Sequence, residues 1–208
     1  MRLVRAAALV GALTVALAVG GCSTTTVHKN ADPADVVNQG YVSGDGSTKT
    51  WPVSARKGPL ALAGTTYEGA KVDVTAWRGH VVVLNTWYAN CAPCRAEAPD
   101  FAKIAAEYAP KGVQFLGING TDDTGAAQAF QSHFGVPYPS IHDTDGSAIA
   151  SLQGTVPVNA VPTTVFLDAN GKVAARILGL ADKSTIRTVL DSLVAEAGAA
   201  TPTGGATP

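Results

Sequence analysis

Val81-Val82-Val83-Leu84-Asn85-Thr86-Trp87 is a nearly unbroken β-branched and apolar run, and Cys91-Ala92-Pro93-Cys94 follows it within a few residues. A run without polar alternation is the pattern of a strand buried on both faces of a parallel sheet. Behind the cysteines comes Arg95-Ala96-Glu97-Ala98, a helix-favouring stretch. The chain is therefore expected to pass from a buried strand to a helix through the cysteine pair. A thiol at a helix N-terminus faces unpaired backbone N–H groups and the positive end of the helix dipole. Both favour the thiolate, which is the nucleophilic form. Cys94, one turn further on, lies close enough to resolve a mixed disulfide. Cys-x-x-Cys at such a junction is the pattern of a thiol–disulfide active site.

Two blander roles for the pair are weaker. A structural zinc site would need two more Cys or His ligands at suitable spacing. The only other cysteine is Cys22, and His28, His80, His133 and His142 are scattered, so no metal site is expected. A structural staple closing so small a loop would constrain the unfolded chain little.

The N-terminus points outside the cytoplasm. Arg2 and Arg5 precede an apolar stretch from Ala6 to Val19. That stretch falls short of the about 20 residues a membrane span needs, and it fits the apolar region of a secretory signal. Val19-Gly20-Gly21-Cys22 follows, a small-residue pair before a lone cysteine, which resembles a bacterial lipobox. Residues 1–21 are expected to be a signal peptide and Cys22 the lipidated first residue of the mature chain. Lipidation would also remove a third thiol that risks mispairing in an oxidising compartment. Residues 22–55 are rich in Thr, Ser, Gly, Asp and Asn and read as a flexible tether, although Trp51 and Val53 are candidates to dock on the domain. Residues 56–198 form the domain, and residues 199–208 a disordered tail. A net charge of −1 leaves no electrostatic footprint for nucleic acid.

Within the domain, strand and helix signals alternate. Leu60 to Val74 reads as a hairpin about Tyr67-Glu68-Gly69-Ala70. Cys94 to Tyr108 is a helix burying Phe101, Ile104, Ala105 and Tyr108, with a kink expected at Pro99. Val113 to Ile118 is the next strand. Gly125 to Phe134 is a helix expected to turn Ala126, Ala129, Phe130 and Phe134 inward. Pro139 to His142 is a short strand and Ser147 to Leu152 a short helix. Thr163–Leu167 and Lys172–Leu178 pair through the turn dipeptide Asn170-Gly171. Ser184 to Ala197 is the last helix, with Gly198 as its stop.

Residues 57–198 resemble the TlpA/ResA-like family of membrane-tethered thioredoxin-fold proteins. The match is carried by Gly79 to Pro99, by Val113-Gln114-Phe115-Leu116-Gly117-Ile118-Asn119, by Val161-Pro162-Thr163-Thr164 and by Asp168-Ala169-Asn170-Gly171-Lys172. The resemblance implies an α/β thioredoxin-like fold. Its central mixed sheet would be flanked by helices, with an N-terminal β-hairpin and a strand–helix insertion in residues 119–146. It implies catalytic Cys91 and Cys94 joined as a redox-active disulfide, with Cys91 the exposed attacking thiol. Pro93 lies between them. Pro162 matches a cis-proline facing the pair, with Pro157 a weaker candidate, and the backbone of Val161 would pair with an extended substrate segment. Trp87 matches an aromatic residue beside the site. Asn85 stands where plain thioredoxins carry a buried aspartate, so Cys94 must lose its proton to water or another group. Glu97 reads as a solvated helix residue, and His133 and His142 as surface or loop residues.

The expected activity is thiol:disulfide exchange without a cofactor, on the outer face of the membrane. Protein disulfides are the expected substrates, with apocytochrome c or copper-site assembly proteins among the clients the resemblance suggests. A membrane electron donor would restore the dithiol, and the chain is expected to be a monomer. Neither Ala92 nor Pro93 carries a charge or strong donor, so a potential near that of thioredoxin (about −270 mV) rather than DsbA (about −120 mV) is expected, which makes the protein a reductant. Two alternatives belong to other classes. A peroxiredoxin-like peroxidase would want a Pro-x-x-x-Thr-type pocket, which Trp87-Tyr88-Ala89-Asn90 lacks. A copper-delivery module would want a well-placed His beside the cysteines.

Overall fold

The computed structural model describes residues 39–200. The expected signal peptide and lipidation site at Cys22, with the rest of residues 1–38, and residues 201–208 lie outside the described residues. Six strands form one mixed sheet in the order β1 (Thr48–Thr50), β8 (Val173–Leu178), β7 (Thr163–Leu167), β4 (Val82–Thr86), β5 (Gln114–Asn119), β6 (Ser140–His142). Its centre is β4, which runs parallel to β5 and antiparallel to β7. Outside these lie β6, parallel to β5, and β8, antiparallel to β7. A separate hairpin, β2 (Ala63–Thr65) with β3 (Lys71–Asp73), sits beside β6: Thr66 bridges to Ile141 and the Tyr67 N–H donates to the Ser140 carbonyl.

Alternation along β4 builds two cores. Val81 and Val83 face α1 (Ala92–Tyr108) and α4 (Lys183–Ala200), packing with Phe101, Ile104, Tyr108, Ile186 and Leu190. Val82 and Leu84 face the other way, into Leu62, Val74, Leu116, Ile141 and Leu152. Leu152 comes from α3 (Ser147–Gln153). Both faces of the strand are thus covered, as its unalternating sequence requires. Pro99 sits inside α1 without ending it.

The structure corrects several expectations. The tether does not extend to residue 55. Residues 41–50 fold back on themselves, and β1 (Thr48–Thr50) pairs with β8, Thr48 opposite Ile177 and Thr50 opposite Ala175. Trp51 packs against the second core while Val53 stays exposed. The gain is mostly backbone hydrogen bonding, which a composition rich in Ser, Thr and Gly does not reveal. Arg56 fixes the segment further: its buried guanidinium pairs with Asp168 at 2.9 Å and with Glu196 at 2.6 and 2.8 Å. In α2 (Thr124–Phe134) the buried residues are Ala127 and Phe130, whereas Ala126 and Ala129 are exposed. The helix is rotated because Phe130 is drawn onto Trp87, ring centroids 4.4 Å apart. α4 continues through Gly198 to Ala200, since one glycine costs a helix only about 1 kcal/mol. His142 ends β6, as the expected strand from Pro139 to His142 has it, but it is half-buried rather than a surface residue and stacks on Tyr67 at 4.5 Å.

Candidate active site

Cys91 is the N-cap of α1, and Cys94 lies in its first turn. The two form a disulfide with Cα atoms 5.2 Å apart. The Cys94 N–H donates to Cys91 Sγ at 3.2 Å, so the first sulfur occupies the anion-favouring position at the helix start. Pro93 is exposed in the same turn, where its missing N–H costs the helix nothing. The expectation of an exposed Cys91 needs correction: in the disulfide form the residue is 2 % exposed. It packs with Tyr67, Trp87, Ala98 and Phe130, and its sulfur lies 3.9 Å from the Val161 carbonyl oxygen. The Val161–Pro162 bond is cis; the other cis bond among the described residues is Gly58–Pro59, and Pro157 is not in one. Val161 itself is 46 % exposed beside the buried disulfide.

The loop entering the pair is held at both ends of one residue. The Ala89 N–H donates to Asp122 Oδ2 at 2.6 Å, and that oxygen also accepts from Asn119 Nδ2 at 2.8 Å. Arg95 Nη1 donates to the Ala89 carbonyl at 3.3 Å while its guanidinium stacks over Phe134. Trp87 fills the space behind. Its indole N–H donates to Ser140 Oγ at 3.1 Å, and Gly117 makes room for both groups: a Cβ there would lie 2.6 Å from Trp87 Nε1 and closer still to Ser140 Oγ.

Glu97 was expected in solvent. It is 3 % exposed. Its Oε1 accepts from Asn85 Nδ2 at 3.0 Å and its Oε2 from the Ala181 N–H at 2.9 Å, while Asn85 also donates to Thr164 Oγ1. Burial pushes the carboxyl up to about 7, against the two donors, which favour its charged form. Asn85, Trp87, Cys94, Glu97 and Tyr138 line a small cavity of about 10 Å³. That is the size at which a cavity holds one water. The buried carboxyl missing at position 85 is thus supplied from position 97, one helical turn beyond Cys94. Its place one turn past Cys94 is visible in the sequence, as is its power to perturb the thiols, but its burial is not, because the donor that covers Glu97 comes from the distant loop at Ala181. Asp122 is a site residue that the sequence does not reveal, and Asn119 enters it only as the last residue of the stretch Val113 to Asn119.

The family model described as Redoxin matches residues 48–191. The chain belongs to the redoxin family. Among curated relatives, this redoxin is 31% identical over 126 residues to the thiol-disulfide oxidoreductase ResA of Geobacillus thermodenitrificans, covering 61% of this chain and 70% of the relative. Among solved structures it is similar to a DsbF homologue from Corynebacterium diphtheriae, with a TM-score of 0.63 and 29% identity over 74% of this chain and 97% of that one. It is also similar to a secreted thiol-disulfide isomerase from Corynebacterium glutamicum, with a TM-score of 0.64 and 31% identity over 74% and 96%. The redoxin therefore has the thioredoxin-like fold and is a thiol:disulfide oxidoreductase of the TlpA/ResA-like kind, and it carries a Cys91–Cys94 disulfide in Cys-x-x-Cys spacing.

Proposed function

We propose that this redoxin works outside the cytoplasm, anchored through a lipidated Cys22, as a reductant of protein disulfides. The observation that carries the reading is the Cys91–Cys94 disulfide at the start of α1, facing the cis Val161–Pro162 bond with the Glu97 carboxyl behind it. In the dithiol form the Cys91 thiolate attacks one sulfur of a client disulfide. An S–S bond forms between Cys91 and the client, and the client's other sulfur leaves as thiolate and takes a proton. Cys94 then passes its proton to Glu97 through the water-sized cavity, and its thiolate attacks Cys91 Sγ. The second client thiolate departs, so two electrons have moved from the protein to the client. The Val161 backbone pairs with the client beside the reacting sulfurs, and Trp87, Pro93 and Asn85 hold the shape around them. Apocytochrome c and copper-site assembly proteins are the clients proposed, and a membrane electron donor restores the dithiol.

A Cys94→Ser variant tests the order of events. It should accumulate a mixed disulfide through Cys91, identifiable by mass spectrometry, whereas trapping through position 94 in a Cys91→Ser variant would reverse the assignment. Equilibration with defined thiol–disulfide buffers tests the direction. A midpoint near about −270 mV is expected; one more oxidising than about −180 mV, the disulfide-isomerase value, makes the protein an oxidase or isomerase instead.

A further inference from the structure

Beside the disulfide lies a groove of about 500 Å³ that reaches well past the residues the exchange itself uses. It opens over the C-terminal ends of β4 and β5, the side of an α/β sheet where ligands gather. Trp87 and Val161 form its near wall, so it is continuous with the place where the client's sulfur must sit. Ile118, Ile149 and Val158 give it apolar walls. Its far end is acidic: the charged side chains lining it are Asp143 and Asp145, and neither makes an ion pair among the described residues. Asp143 is buried, with both carboxylate oxygens taken by the Ala148 and Ile149 N–H groups. Asp145 is exposed, accepts the Ser147 N–H and keeps its charge available to the groove.

We infer that this groove is a second subsite for the client chain, selecting segments in which an apolar side chain and then a lysine or arginine follow the attacked cysteine. The inference rests on the oxidoreductase activity and adds to it a rule for choosing clients. An extended segment crossing Val161 enters the groove directly. Its apolar side chain is buried against Ile149 and Val158, and its cation meets Asp145, where opposite charge favours both encounter and register.

Synthetic peptides test this, each with one cysteine disulfide-bonded to 2-mercaptoethanol, a leucine beyond it, and Lys, Gln or Glu scanned along the following positions. Reduction by the wild-type dithiol protein should show kcat/KM highest for a Lys peptide, about threefold above its Gln counterpart. Asp145→Asn keeps the hydrogen-bond acceptor for Ser147 and should erase that preference. Ala150→Lys, at an exposed groove position on α3, should turn it toward Glu. Hydroxyethyl disulfide, too small to reach the groove, should be reduced equally by all three proteins. Equal kcat/KM for the Lys, Gln and Glu peptides, or a Lys preference that survives both substitutions, overturns the subsite. Failure to reduce hydroxyethyl disulfide at all would instead count against the reductant itself.

Discussion

At the scale of the residue, one buried carboxyl stands behind the cysteine pair. Burial disfavours the charge of Glu97 and pushes its carboxyl up from the ordinary 4.5 to about 7 in the folded protein. With the folded value raised, the stability it contributes is fully present below the unfolded value and is lost as pH rises through the folded one. The loss amounts to roughly 3 kcal/mol for the oxidised protein. Its Tm should therefore fall between about pH 4.5 and about pH 7, and Glu97→Gln should flatten that part of the profile. A variant with the wild-type slope would clear Glu97 of the effect. The same substitution should slow release of client from the mixed disulfide by about 10²-fold near neutral pH, the usual size of one proton-transfer contribution. The rate at which Cys91 is alkylated should change far less.

Among the elements, β5 shows how a backbone position can hold a side chain elsewhere. Gly117 leaves the space in which Trp87 reaches Ser140. Gly117→Ala should cost about 1–3 kcal/mol by overpacking, read as a lower urea midpoint at unchanged m. Gly125→Ala, at the exposed start of α2, should stay within about 0.5 kcal/mol of wild type. Equal effects would mean that Gly117 accommodates a methyl. The elements were readable where pattern and burial agree. Val81 to Trp87 announced its strand, the stripe Phe101-Ile104-Ala105-Tyr108 its helix, and Asn170-Gly171 its turn. Legibility failed where the deciding partner is far away in sequence. Thr48-Lys49-Thr50 has no strand pattern of its own and becomes β1 only through β8. The phase of α2 is set by the contact of Phe130 with Trp87. Glu97 sits in an Ala-Glu-Ala context that looks solvated until the Ala181 loop closes over it. The cysteine pair itself was legible because its spacing and its place between strand and helix are both local.

For the molecule as a whole, Arg56 joins three parts of the chain: the N-terminal segment, the β7–β8 turn through Asp168, and the last helix through Glu196. Arg56→Met would leave a buried Asp168 without its cation and should destabilise the domain by about 3–5 kcal/mol. Arg56→Lys should recover only part of this, since one ammonium cannot reproduce the bidentate pair with Glu196. Thermal unfolding of the two variants gives the comparison, and a Met variant as stable as wild type would show the triad to be dispensable. The segment that Arg56 secures has a further effect. A sheet's outermost strands present unpaired backbone groups to which foreign chains can add. Here Val42 already bridges to Lys49 on the far side of β1, and Thr66 to Ile141 on the far side of β6. Each edge strand thus already carries a bridge to the chain's own backbone, which discourages β-augmentation at those points. A client polypeptide is left to approach across the open end of the sheet, where the disulfide is.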